Sequence, residues 1–361
     1  MTNCAEIGKQ HLHQTVSQAV TFLLQARDKG GWWKDFFTPA GVSDAWVTGF
    51  VGTTLAGIPD AGAKQAADAA WQLLAHRETY EGGWGYHAKV PADADTTLWS
   101  LQLAEALGLG HEERCQQAYA FLARHVKSNG GVSTYEQESP IREYIGLPEG
   151  IISFQGWCGA HTCVTAAAAS LPELSGQILP YLRQRQAADG RWCSYWWFED
   201  EYCTARAATA LALHGQSDSD RQRVEKAVVW AVERLQQLLS ALQPAEFAIA
   251  WCLQILTLGK DLTSVREICL EGVQHLIESQ RADGSWQPSA RLRVPRPDMV
   301  DPELVQNWQR WTGKFAGPPT LEKVLENTFN IFSLDQNGIF TTATALQALQ
   351  RLSELGWWKN E

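Results

Sequence analysis

Two kinds of hydrophobic segment alternate along this chain. One kind is amphipathic, apolar at helical spacing with charges on the remaining face: Ala63 to Glu78, Glu113 to Ser128, Arg221 to Leu239 and Val265 to Arg281. The other is apolar all round and rich in small residues: Asp44 to Gly57, Asp95 to Leu107, His161 to Leu171, Tyr202 to His214, Phe247 to Leu258 and Thr341 to Leu352. A helix with a charged face belongs outside, and one without belongs inside, where Ala, Gly and Thr let several helices crowd around one axis. The alternation therefore predicts an all-α fold, an (α/α) toroid of about six outer/inner hairpins forming a single domain over residues 1–361. Period-2 alternation and hairpin turns do not recur, so no strand is predicted.

Between the two kinds of helix a short signature repeats: a Gln or charged residue, then Gly, then an aromatic. The copies are Gln25 with Gly30-Gly31-Trp32, Glu81-Gly82-Gly83-Trp84, Asn129-Gly130-Gly131, Gln186 with Asp189-Gly190-x-Trp192, Gln280 with Asp283-Gly284-Ser285-Trp286, and a weaker Asp335 with Gly338-x-Phe340. Glycine permits the positive-φ turn that ends a helix, and the aromatic packs back over it. The longest irregular stretch is Gln287 to Thr320, rich in Pro and Arg, and a loop of that length in a compact domain reads as a lid or binding segment. All inner helices start from one end of the toroid. Residues at their starts therefore converge on one mouth: Asp44, Asp93, Asp95, His161, Glu199-Asp200-Glu201, Glu246 and Thr341-Thr342. Capping explains any one of these singly. Asp93, Asp95 and His161 stand apart, because acids beside a histidine at the mouth of an apolar cavity make an acid catalyst.

With 45% hydrophobic residues the chain can bury a large core, and its net charge of -10 argues against nucleic acid and against anionic lipid. Met1 to Gln14 carries neither a basic flank nor an apolar run, and no stretch reaches the ~18 apolar residues of a membrane span, so a cytoplasmic location is expected. The eight cysteines include no Cys-x-x-Cys pair, which makes disulfides and a structural zinc site unexpected. Seventeen tryptophans suit an apolar or cationic small-molecule partner.

At Gly82-Gly83-Trp84-Gly85-Tyr86 followed by Asp93-Ala94-Asp95-Thr96-Thr97, the sequence resembles squalene-hopene and oxidosqualene cyclases, whose acid motif Asp-x-Asp-Asp-Thr follows such a repeat. A second match runs ungapped from Asp189 through Trp192, Trp196, Tyr202 and Thr204, and His161 lies about where that family has the histidine partnering its acid. Those cyclases carry two toroidal domains and this chain has room for one. It looks most like the single-domain cyanobacterial class II cyclases of meroterpenoid biosynthesis, of the merosterolic acid synthase type. The resemblance implies proton-initiated cyclisation of a polyprenyl chain, with a geranylgeranylated dihydroxybenzoate as substrate and a sterol-like meroterpenoid as product. It departs from the motif at Thr96, where the family has its third acid, and Gln287 to Thr320 is the segment left to close the cavity that a second domain would cover.

Protonating an alkene requires a carboxyl that still holds its proton at neutral pH, which a lone one near pKa ~4 does not. Asp95 fits the donor and Asp93 a partner sharing its proton. A protonated His161 would hydrogen-bond Asp95, and Tyr202 would order the water that restores the proton. Candidate substrate contacts are Trp46, Phe50, Thr96, Trp99, Trp157, Trp196 and Trp251, whose π faces suit a carbocation. Arg291 and Arg293, with Arg296, are either partners for an anionic head group or solvated loop charges. No cofactor or metal is expected, since there is no Asp-Asp-x-x-Asp sequence for diphosphate-bound magnesium. Three rival readings stand beside this one: a zinc-dependent prenyltransferase subunit, disfavoured by Asp200-x-x-Cys203; an (α/α) glycoside hydrolase; and a non-catalytic lipid-binding toroid.

Overall fold

The tryptophan of each repeat ties an outer helix to the inner helix that follows it. In the computed structural model, which describes residues 8–77, 81–313 and 329–355, the indole N–H groups of Trp33, Trp84, Trp192 and Trp286 donate to the carbonyls of Leu23, Leu74, Leu182 and Leu276. Each acceptor lies in the last turn of an outer helix, where carbonyls lack intrahelical partners. The backbone N–H groups of the same tryptophans donate to the hydroxyls of Thr48, Thr97, Thr204 and Thr342 near the start of the next inner helix. In the repeat without a tryptophan, Val132 N–H takes the corresponding bond to Thr165. The first copy of the signature turns on Trp33, not on Trp32 as the glycine pair suggests; Trp32 is covered by the Arg77 guanidinium, 3.9 Å above its ring.

So fastened, the chain forms outer helices α1 (Lys9–Gln25), α3 (Ala61–His76), α5 (Glu113–His125), α8 (Pro172–Arg185), α10 (Asp218–Leu239) and α12 (Arg266–Ser279). The inner helices are α2 (Ala45–Ala56), α4 (Ala94–Ala106), α7 (Thr162–Ala168), α9 (Asp200–His214), α11 (Glu246–Leu256) and α13 (Ile339–Ser353), with a short α6 (Glu138–Tyr144) outside the alternation. Every residue of α11 is buried. The outer helices bury one stripe each, as in α5, where Cys115, Ala118, Tyr119, Phe121, Leu122 and His125 face inward.

The ring closes on itself. Gln186 at the end of α8 donates to the Arg223 carbonyl of α10, and Gln280 at the end of α12 makes the same bond to the Thr15 carbonyl of α1. Gly284, at φ 88°, presses so closely on α1 that a Cβ would stand 2.3 Å from the Gln18 carbonyl. No helix among the described residues is long and apolar enough to cross a membrane.

The expectation of no strands is corrected. Strands β1 (Asp35–Thr38) and β2 (Gly41–Ser43) form a hairpin, and β3 (Arg291–Val294), β4 (Gln309–Arg310) and β5 (Ile331–Leu334) form a sheet in the order β3-β5-β4, with β3 antiparallel and β4 parallel to β5. At two to four residues each they are too short for a period to register. The stretch from Gln287, expected to be irregular, thus contains β3 and β4; its last part, 314–320, lies outside the described residues. Asp35 anchors the hairpin to the start of α13, accepting from the N–H groups of Asn337 and Ile339.

Candidate active site

A cavity of about 700 Å³, open solvent at its mouth included, lies over the starts of the inner helices. Its lining is mostly apolar with a few polar groups, as in small-molecule sites. Inner-helix residues Trp46, Asp95 and Thr96, with Asp93 just before α4, form one side, and Leu292, Arg293 and Val294 of β3 form another. The β3 wall is held in place from beneath: the Trp157 indole donates to the Pro295 carbonyl, and the N–H groups of Gly156 and Trp157 donate to Pro297.

The ring of polar residues expected at the mouth is sorted by its partners. Asp44 pairs with Arg77, Glu199 with Arg291, Asp200 with Arg191 and Glu201 with Arg234, while Thr341 accepts from the N–H groups of Ser289 and Ala290. Asp93 and Asp95 remain at the cavity.

These two carboxyls differ in their bonding. Asp93 caps α4: Oδ1 accepts from the Thr96 N–H at 2.7 Å and Oδ2 from the Thr96 hydroxyl at 2.8 Å. Thr96, where the motif's third acid is expected, thus puts a neutral donor on Asp93. Asp95 has one carboxyl oxygen buried with no hydrogen-bond partner. The expected proton-sharing bond between the pair is absent among the described residues, and they interact through space instead. Burial raises Asp93 to about 7. It raises Asp95 to about 8, with the charge of Asp93 adding to the rise and Arg206 opposing it.

His161 does not bond Asp95, contrary to expectation. Its Nε2 meets the Gly156 carbonyl at 2.7 Å and its Nδ1 the Thr134 hydroxyl at 2.8 Å, while Trp196 donates to that same hydroxyl at 2.7 Å. A chain of donors from Trp196 through Thr134 makes Nδ1 an acceptor and leaves the proton on Nε2. Burial drops the ring's pKa to about 3, so it is neutral at physiological pH. The Tyr202 hydroxyl is buried and unpartnered, and the charge of Asp95 pushes it further above its ordinary range after burial itself.

Of the aromatic candidates, Trp46, Trp157 and Trp196 line the cavity. Phe50, Trp99 and Trp251 do not; they lie in the packed layer beneath, where Phe50 stacks on Phe340 at 3.8 Å, Trp99 meets Phe50 edge-on at 4.7 Å and Trp251 meets Tyr202 edge-on at 5.3 Å. Arg293 reaches the cavity and donates to the Ser194 carbonyl. Arg291 is instead held by Glu199 at 2.6 Å.

Sequence reasoning missed Thr38, Tyr86, Thr134 and Tyr135 on the cavity wall. One signal was present: Tyr86 and Thr134 each fall three residues after the second glycine of a signature, Gly83 and Gly131. It also missed Trp197, which packs 5.7 Å from Trp46 and 5.1 Å from Tyr202 and so joins the cavity floor to the layer beneath.

A carboxyl with one oxygen buried and its pKa raised to about 8, on the wall of an apolar, aromatic-lined cavity inside an (α/α) ring, is the arrangement that a proton-initiated cyclase of isoprenoid chains requires. No family model and no curated protein matches the chain. Among solved structures, a variant of the type II terpene cyclase MstE from Scytonema, in complex with geranylgeranyl dihydroxybenzoate as substrate, is 41% identical, with 96% of this chain and 98% of that one covered at a TM-score of 0.89. Another MstE variant, in complex with merosterolic acid A as product, is 40% identical, with the same coverages and a TM-score of 0.88. A protein from Actinoplanes is 33% identical, with 95% of this chain and 100% of that one covered at a TM-score of 0.84. The chain belongs to the type II terpene cyclases.

Proposed function

We propose that this enzyme cyclises a geranylgeranylated dihydroxybenzoate to a polycyclic, sterol-like meroterpenoid, with Asp95 as the proton donor. The observation that carries the assignment is Asp95 itself, a carboxyl held protonated near pH 7 by burial, on the wall of a cavity lined by Trp46, Trp157 and Trp196. The Asp95 O–H bond breaks as the π pair of the terminal alkene takes the proton, leaving a tertiary cation on the chain and a carboxylate on the enzyme. Successive alkenes then attack the cation; the final cation gives a proton to water as the C–H pair becomes the product's alkene, and water returns a proton to the Asp95 carboxylate. Asp93 keeps the donor protonated through its neighbouring charge. His161, neutral, holds Thr134 and Trp196 in place. Tyr202 stands beside the donor from α9. The β3 wall keeps water out, and Arg293 is the cation placed to meet the carboxylate of the head group. The substrate of MstE, a relative 41% identical, supports this choice.

The test is mass spectrometry of products after incubation with geranylgeranyl dihydroxybenzoate, with the farnesyl homologue and with geranylgeraniol, each with and without EDTA. Conversion of the first to an isomer of equal mass, undiminished by EDTA and lost in Asp95→Asn, is expected. Strict dependence on added magnesium, or full turnover by folded Asp95→Asn, would overturn the mechanism.

A further inference from the structure

The neutral state of His161 leaves a question of acid strength. Burial makes Asp95 hold its proton, but burial alone also makes the carboxylate left after proton transfer costly, which weakens the acid. Something cationic has to stabilise that carboxylate, and the histidine is occupied by Gly156 and Thr134.

We propose that Arg206, on α9, is the positioning residue that strengthens Asp95 as an acid, its guanidinium lying outside the cavity lining and over the ring one turn along α4 from the donor. Arg206 lies one turn after Tyr202, and its guanidinium sits 4.9 Å over the ring of Trp99, which lies one turn after Asp95 on α4. Two neutral groups hold it there: Nη2 donates to Gln102 Oε1 at 2.6 Å and to Ser170 Oγ at 3.1 Å. No carboxylate forms an ion pair with it among the described residues, so its field is not cancelled locally. Its Nε is shielded from solvent and unpartnered, as are one oxygen of Asp95 and the Tyr202 hydroxyl. The charged and titratable groups facing this cluster are Asp93 before α4, Cys163 on α7, Tyr202 on α9 and, beyond the guanidinium, Arg351 on α13. Arg206 is the group that lowers Asp95; burial lowers Arg206 itself, and Tyr202 and then Asp95 work against that fall.

This inference rests on Asp95 being the donor, so Asp95→Asn is the control. The experiment measures kcat and KM against pH for the wild type, Arg206→Gln, Arg206→Lys and Gln102→Glu. Arg206→Gln removes the charge, and Gln102→Glu keeps the arginine but sets a carboxylate on it. In both, the alkaline limb of kcat is expected to move up by about one pH unit or more, with kcat on the plateau falling about tenfold and KM held. Arg206→Lys is expected to restore the wild-type limb. Limbs at the wild-type pH in both charge-altering variants, with only stability changed, would make Arg206 a packing residue. If Asp95→Asn is inactive while those limbs stay put, this inference alone fails; if Asp95→Asn turns over normally, the donor assignment fails first. Should Arg206→Gln not fold, Gln102→Glu carries the same decision.

Discussion

Asp95 has to keep a proton that water at pH 7 would remove from an ordinary aspartate. Its carboxyl titrates near 8 in the folded chain, so the active form is the protonated one and turnover should be level at pH 6 to 7 and fall about tenfold per unit above pH 8. The same shift sets a stability cost. A carboxyl whose folded pKa lies above its unfolded value contributes most below the unfolded value and loses that contribution as pH rises through the folded one. For Asp95 the cost at pH 7 is on the order of 4 kcal/mol. Asp95→Asn should therefore lose ~10²-fold or more in kcat with KM kept, while its unfolding midpoint in urea rises relative to wild type as pH goes from 4 to 8. A helix cap would behave otherwise, losing stability with activity retained. At Thr96 the expectation is different: Thr96→Val removes the hydroxyl from Asp93 Oδ2 and should cost about 1–3 kcal/mol, read by the same urea titration.

At the level of elements, the repeated unit is a pair of helices joined by one tryptophan and one threonine. Thr204→Val leaves the Trp192 N–H without its acceptor inside the ring and should destabilise by about 1–3 kcal/mol in thermal unfolding, with the product spectrum unchanged. Leu292→Ala acts on the other kind of element, the β3 wall: Leu292 lines the cavity and is also buried in the core, so the change should yield partly cyclised or water-quenched products by mass spectrometry and cost about 2–5 kcal/mol of stability. The contrast also explains what could be read in advance. The hairpins were legible because α5 or α10 runs for three turns or more, long enough for a face to declare itself, and because Gly82 and Gly190 punctuate the same positions. Arg291 to Val294 does alternate polar and apolar, but over four residues, and its partner Ile331 to Leu334 comes 37 residues after Val294, so nothing local marks either as a strand. Asp93 and Asp95 were legible as a motif. The role of His161 was not, because its partners Thr134 and Gly156 are fixed by loops whose folding depends on the packed ring.

For the whole molecule, the interior holds an unusual number of acids that gain protons on folding. Burial raises Asp35 and Asp200 to about 6, Asp93 and Glu199 to about 7 and Asp95 to about 8, and it raises Asp335 as well. His125 and His161, which burial lowers to about 4 and 3, oppose this gain below their unfolded pKa of about 6.5, but the six acids outnumber them, so from pH 5.5 to 8 the folded chain binds more protons than the unfolded one and stability should fall as pH rises. Differential scanning calorimetry should find a higher Tm at pH 5.5 than at pH 8; a Tm rising across that range would contradict the buried-acid picture. The closure of the ring carries a further consequence, for the order of assembly. Each tryptophan bond joins residues ten apart, so the hairpins are local and quick to form, whereas Gln280 meets Thr15 across 265 residues of chain. The seam where α1 at one end of the ring meets α12 and α13 at the other is then the last contact to close. Gly284→Ala, which crowds that junction at the Gln18 carbonyl, should accordingly quicken unfolding while leaving the early refolding phase of the other hairpins untouched, as stopped-flow tryptophan fluorescence would record.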